Sequence, residues 1–145
     1  MITATNGRVQ LWIDEYAQAW RERDPDAAAE LFSEHAVYRS HPFRDPHLGR
    51  DGVRAYWAAA TGSERTVRLR FGAPIVEGDR AAVEWWAQIE DADDGWVTLP
   101  GCLVLRFDPD GRCEELRECW HVADGRVDAP EGVGGCEAGA FISVS

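Results

Sequence analysis

The hydrophobic period of this chain changes once, near Val67, and that change restricts the fold more than any other feature. Before it, apolar residues recur at helical spacing. In LWIDEYAQAWRERD, Trp12, Tyr16, Ala19 and Trp20 form one stripe, with Asp14, Glu15, Arg21 and Glu22 mostly off it. Asp24 before Pro25 has the form of an N-cap and first helical position, so PDAAAELF predicts a second, short helix. AVY then predicts a short strand and SHPFRDPH a loop. A third helix, from near Asp51 to Gly62, carries Val53, Tyr56, Trp57 and Ala60 toward the core.

From Val67 the period is two. Val67, Leu69 and Phe71 alternate with Arg68 and Arg70; in AAVEWWAQIE, Val83, Trp85, Ala87 and Ile89 alternate with Glu84, Trp86, Gln88 and Glu90. WVTLPGCLVLRF and RCEELRECWH, joined by a DPDG turn, predict a final hairpin. Residues 123–145 include five glycines from Gly125 to Gly139 and read as an irregular tail with a short terminal strand at most. Helices followed by a meander predict an α+β fold, three helices packed on one face of a strongly curved, mainly antiparallel sheet. Such a sheet leaves an apolar pocket beneath the helices.

Size and charge narrow the partners. At 145 residues and 45% hydrophobic content, one domain over 1–145 with its core in 9–122 is expected. Fifteen basic against 26 acidic residues give a net charge of -11, which repels nucleic acid and anionic membrane. Asp14 and Glu15 interrupt the first apolar segment, and no run approaches a membrane span, so a cytoplasmic protein without a leader is expected. Cys102, Cys113, Cys119 and Cys136 form no C-x-x-C pair and read as packed free thiols. HPFRDPH does not have zinc-ligand spacing and EDADDG lacks the length of a calcium loop, so neither metal nor cofactor is expected.

If DPDG is the turn, Leu103 faces Leu116, Gly101 faces Glu118 and Leu99 faces Trp120. Glu118 then lies among apolar residues on the pocket face, with space beside it, and burial there raises its pKa toward neutrality. His41 is a candidate acid or base at the pocket rim, with His47 and Asp45 in the same loop; His35 and His121 read as structural or solvent-facing. Tyr16 is a candidate hydrogen-bond donor. Trp12, Trp20, Trp57, Trp85, Leu103 and Trp120 are the expected apolar walls, suited to a small apolar or aromatic molecule. The opposite face, with Cys102, Val104, Cys113, Cys119 and Trp86, predicts a homodimer through the outer side of the sheet.

The order WIDEYAQAWRERDPDAAAELFSEHAVYRSHPF, GRDGVRAYW and LVLRFDPDGRCEELRECWH resembles the NTF2-like superfamily, particularly SnoaL-like domains, over residues 9 to 122. The resemblance implies a cone of three helices and a curved sheet around an apolar pocket, often as a homodimer. It also brings in ketosteroid isomerase, polyketide cyclases, limonene epoxide hydrolase and dehydratases as relatives. Tyr16 lies near the place of the isomerase's oxyanion-holding tyrosine. His41 before Pro42 stands where that enzyme has its aspartate base, and no carboxylate lies near Cys102 to match its protonated aspartate. The resemblance, together with the candidate groups His41, Glu118 and Tyr16 read from the residues, implies a cofactor-independent isomerase, cyclase or dehydratase working by proton transfer. A non-catalytic binding protein and a protein-interaction dimer domain are the alternatives.

Overall fold

Local capping sets the first helices. In a computed structural model that describes residues 5–133 and 142–144, helix α1 (Asn6–Glu22) begins where Thr5 Oγ1 accepts the Arg8 N–H at 3.2 Å. It ends at Arg23, a left-handed residue at φ 51° whose N–H returns to Ala19 and Trp20 carbonyls. Asp24 caps α2 (Pro25–Glu30) by accepting the Ala27 N–H at 3.1 Å, as the Asp-Pro pair predicts. Helix α3 (Gly49–Thr61) buries Val53 and Trp57.

The strands are β1 (Phe32–Arg39), β2 (His47–Leu48), β3 (Glu64–Phe71), β4 (Ile75–Glu77), β5 (Arg80–Asp91), β6 (Gly95–Phe107), β7 (Cys113–Trp120), β8 (Ala123–Asp124) and β9 (Ile142–Val144). They form one curved, open sheet in the order β2-β1-β7-β6-β5-β3-β9, with β4 on β5 and β8 on β6. All pairings are antiparallel except β1 with β7, so the sheet is mixed. Strand β1 starts at Phe32, four residues before the expected AVY, and takes over the end of the expected second helix. Its inward residues are Phe32, Ala36 and Tyr38, all buried, as is Ser40 just beyond its end. The core fills the space between this concave face and the helices with Val9, Ile13, Val53, Leu69, Leu105 and Leu116.

The β6–β7 hairpin differs from its expected register by two residues. Leu103 pairs with Glu118, Gly101 with Trp120 and Leu105 with Leu116. The cause is the turn: Asp108 Oδ1 accepts the Asp110 and Arg112 N–H groups, which keeps Arg112 in the loop, and a bulge follows between Arg106 and Phe107. A slip of two preserves the faces, so Leu103, Glu118 and Trp120 still point inward. The bulge does move Cys113, expected on the outer face, into the core with no exposed surface. Cys102 and Cys119 are exposed rather than packed, opposite one another on the outer face, and all three are free thiols. Cys136 lies outside the described residues.

The tail does more than trail from the sheet. Beyond β8 the chain turns over the outer face of β5 and β6, where Val127 O accepts Trp86 Nε1 at 2.8 Å and Gln88 Nε2 at 2.9 Å. Thr98 Oγ1 donates to Gly125 O and accepts the Val127 N–H, and the Arg126 guanidinium rests 4.9 Å from the centre of the Trp96 ring. The Trp86 side of the face expected to dimerise is thus occupied by the chain itself. Among the described residues, no helix is long and apolar enough to cross a membrane.

Candidate functional site

Helical and strand periodicities converge on one cavity of about 200 Å³ between the helices and the concave face of the sheet. Tyr16 and Trp20, one turn apart on α1, close one side; Tyr56, Trp57, Ala60 and Thr61 of α3 close another. The sheet contributes Tyr38 of β1, Glu64 of β3, Trp85 and Ile89 of β5, Leu99 and Leu103 of β6, and Glu118 and Trp120 of β7. Among the described residues, no Lys, Arg or His lines it.

Glu118 is the polar centre of this cavity. Tyr38 Oη donates to Glu118 Oε2 at 3.3 Å, and Tyr16 Oη lies 3.0 Å from Tyr38 Oη. Because Tyr38 uses its proton on the carboxylate, Tyr16 is the donor in the second bond, and the three groups form a relay. The Glu118 residue is only partly buried, but its carboxyl reaches the buried Tyr38 hydroxyl within the cavity. Burial pushes it up to about 8, against the pull of the Tyr38 hydrogen bond. Tyr16 and Tyr38 are raised well above the ordinary phenol range, first by burial and then by the Glu118 charge. They remain neutral donors at any physiological pH.

A second carboxyl enters from β3. Glu64 Oε1 accepts the Trp20 indole N–H at 3.2 Å, and burial raises it to about 7 while that bond and Arg23 pull it down. Tyr56 is raised by burial and feels both Glu118 and Glu64.

The indoles are fixed by their edges. Trp120 Nε1 donates to Ser40 O at 2.9 Å. Trp57 and Trp85 bury indole N–H groups that have no hydrogen-bond partner. Both rings pack edge-to-face with Trp20 at 74°, with centroids 5.5 and 5.2 Å away. Trp85 lies against Gly101, where any Cβ would overlap its ring. The space expected beside Glu118 from that glycine is filled by the Trp85 indole.

Of the residues expected at the site, Tyr16, Trp20, Trp57, Trp85, Leu103, Glu118 and Trp120 meet in the cavity. Trp12 does not. It stacks behind Tyr16 at 4.9 Å, donates to Leu31 O at 2.9 Å and borders a separate surface groove with Arg8 and Arg112. His41 does not line the cavity either: strand alternation turns Tyr38 and Ser40 inward, and the chain leaves the strand at Ser40. The His41 Nδ1 accepts the Phe43 N–H at 3.1 Å within its own turn. His47 backs the site instead, with Nε2 3.3 Å from Ser40 Oγ and its ring 4.5 Å from Tyr56; burial lowers its pKa. Among the described residues no group of three potential ligands is placed to hold a metal.

Tyr38, Tyr56 and Glu64 are site residues that the expected set omits. Tyr38 sat at the end of an underestimated strand, and Tyr56 was assigned only to the core stripe of its helix. Glu64 carries no pattern signal, because a register shift between Glu64 and Thr66 breaks the alternation that would place it.

Comparison with known proteins agrees with this geometry. A SnoaL-like domain model matches residues 13–116. No curated protein sequence matches the chain. Among solved structures, it is similar to the epoxide hydrolase/cyclase-like enzyme SalBIII of pyran ring formation in the polyether salinomycin, with a TM-score of 0.69 and 24% identity over 80% of this chain and 94% of that one. It is also similar to a hypothetical protein with a ketosteroid isomerase-like fold from Catenulispora acidiphila, in complex with trimethylamine, with a TM-score of 0.67 and 17% identity over 74% of this chain and 83% of that one. The match across most of the sequence, with the cone of helices and curved sheet around a pocket, places the chain in the SnoaL-like domain family of the NTF2-like superfamily.

Proposed function

We propose that this chain is a single-domain, cofactor-independent proton-transfer enzyme of isomerase or cyclase type, acting on a small, largely apolar molecule. The observation that carries the reading is the Glu118 carboxyl, buried in an aromatic cavity and poised near neutrality by burial. A carboxyl at about 8 gives a proton readily and, once ionised, takes one back as an unusually strong carboxylate base. In one cycle Glu118 protonates the ligand at one atom and recovers a proton from another, so none is consumed. Tyr38 and Tyr16 hold the negative charge that develops on Glu118 as it ionises.

Size bounds the ligand. A cavity of about 200 Å³ corresponds to roughly seven water volumes at ~30 Å³ each, room for a one- or two-ring molecule rather than a four-ring one. His41 has no part in this mechanism, since Tyr38 occupies the position beside Glu118. Free Cys102 and Cys119 fit the reducing cytoplasm, where we place the protein. A homodimer through the outer face would use the area around those cysteines that residues 123–128 leave open.

The test is proton exchange. Small β,γ-unsaturated cyclic ketones such as cyclohex-3-enone, incubated with the protein in D₂O, are expected to isomerise with deuterium incorporation followed by NMR. Glu118→Gln is expected to slow this by about 10²-fold or more. Equal rates for the two proteins, above the buffer reaction, would remove Glu118 from the chemistry. Binding without turnover is the second reading, favoured by the complex of the isomerase-like neighbour with a small molecule. Under it, the ketones bind and no deuterium enters.

A further inference from the structure

We infer that the cavity is built to hold a positively charged organic group, either an alkylammonium ligand or the cationic centre of a ligand during the proton transfer proposed above. The inference deepens that proposal and rests on it for the identity of the site. Three features of the walls point to a cation.

The first is the aromatic wall. Trp20, Trp57, Trp85 and Trp120, with Tyr38 and Tyr56, surround the space. Trp20 and Trp120 use their N–H groups on Glu64 and Ser40 O, whereas those of Trp57 and Trp85 are buried without a partner. A wall of six aromatic rings offers π surface, which carries negative potential and attracts cations.

The second is uncompensated acidity. Glu118 and Glu64 both reach this cavity, and no basic side chain lines it. A carboxylate withdrawn from water is costly unless a positive partner meets it. Elsewhere the chain supplies such partners, as in the Arg106–Glu114 and Arg54–Asp26 pairs. Glu64 feels Arg23, but among the described residues no basic side chain lines the cavity to meet Glu118, and a bound cation would supply that partner. The third is the chain's net charge of -11, which raises the local concentration of cations and disfavours anionic ligands.

The titratable groups facing Glu118 are Tyr16 from α1, Tyr38 from β1, Tyr56 from α3 and Glu64 from β3; β5 and β6 present only Trp85, Ile89, Leu99 and Leu103. The tyrosines stay neutral because each is raised, so only the two carboxyls change charge between pH 6 and 9. A permanent cation prefers the ionised carboxyls, and its affinity must rise with pH over that range. A neutral ligand gains nothing from their ionisation.

The experiment compares benzyltrimethylammonium with neopentylbenzene, its neutral isostere with carbon in place of nitrogen, by tryptophan fluorescence titration. At pH 8.5 the cation is expected to bind about tenfold tighter or better, and to weaken about tenfold by pH 6.5. Neopentylbenzene is expected to bind equally at both pH values. Glu118→Gln is expected to remove most of the pH dependence for the cation and to leave the isostere within about twofold; Glu64→Gln serves if the first variant fails to fold. An isostere that binds as tightly as the cation overturns the inference and leaves the proton-transfer pocket standing. If neither probe binds, the pocket reading falls with it.

Discussion

Polar side chains are buried on both faces of the sheet, but their surroundings differ. On the outer face Gln88 and Thr98 are each 1% exposed, and the groups they bury are met: Gln88 by Val127 O and the Arg68 guanidinium, Thr98 by Gly125 O and the Val127 N–H. On the inner face Glu118 receives one hydrogen bond of 3.3 Å and Glu64 one of 3.2 Å, and neither has an ion partner in the cavity. The outer arrangement satisfies what it buries and has a structural task. The inner one leaves two carboxyls short of partners, a condition that opposes folding and persists where a ligand completes it. Satisfaction, more than burial, separates the structural polar groups of this fold from the functional ones.

The largest effect of that difference is on stability against pH. The unfolded chain releases the Glu118 proton near 4.5, whereas the folded protein holds it to about 8. The folded state therefore binds more protons between those values, and its stability is full below the lower one and falls as pH rises through the upper. The ceiling for this one group is roughly 5 kcal/mol, with Glu64 adding in the same direction. Chemical denaturation at pH 5 and pH 9 is expected to show this loss, and Glu118→Gln to flatten it. A stability that rises from pH 5 to pH 9 would contradict the inner-face account.

Gly101→Ala attacks the inner wall without touching a charge. Its Cβ would overlap the rigid Trp85 ring, so a loss of about 1–3 kcal/mol and a narrower cavity are expected, read by thermal melting and by ligand titration. An unchanged melting point would mean that Trp85 can move aside. Thr98→Val tests the other face. It unpairs Gly125 O and the Val127 N–H, and a loss of about 1–3 kcal/mol is expected with no change in the inner carboxyl titrations. The smallest effect belongs to His41→Ala, within about 0.5 kcal/mol and without effect on proton exchange, since the ring only closes its own turn.

How far the sequence made these two faces legible depends on the element. Alternation along RCEELRECWH was enough to place Glu118 and Trp120 inward, and the inward assignment survived a two-residue error in register because pleating has a period of two. The same rule failed at Cys113 and Glu64, where bulges add a residue that no pattern announces. His41 was drawn from a loop, where no periodicity fixes direction, and the structure puts Tyr38 beside the carboxylate in its place. The tail over Trp86 was legible only as irregular chain: its bonds to the sheet run through backbone atoms that every sequence shares.

The central claim is that Glu118 is a carboxyl held protonated through neutrality by its cavity. Its carboxyl ¹³C shift, followed by NMR from pH 4 to pH 10 and assigned by loss of the signal in Glu118→Gln, measures that directly. A midpoint of about 8, moving higher still in Tyr38→Phe as the stabilising hydrogen bond is lost, is the predicted result. A midpoint near 4.5 would show a solvated carboxylate and contradict the account.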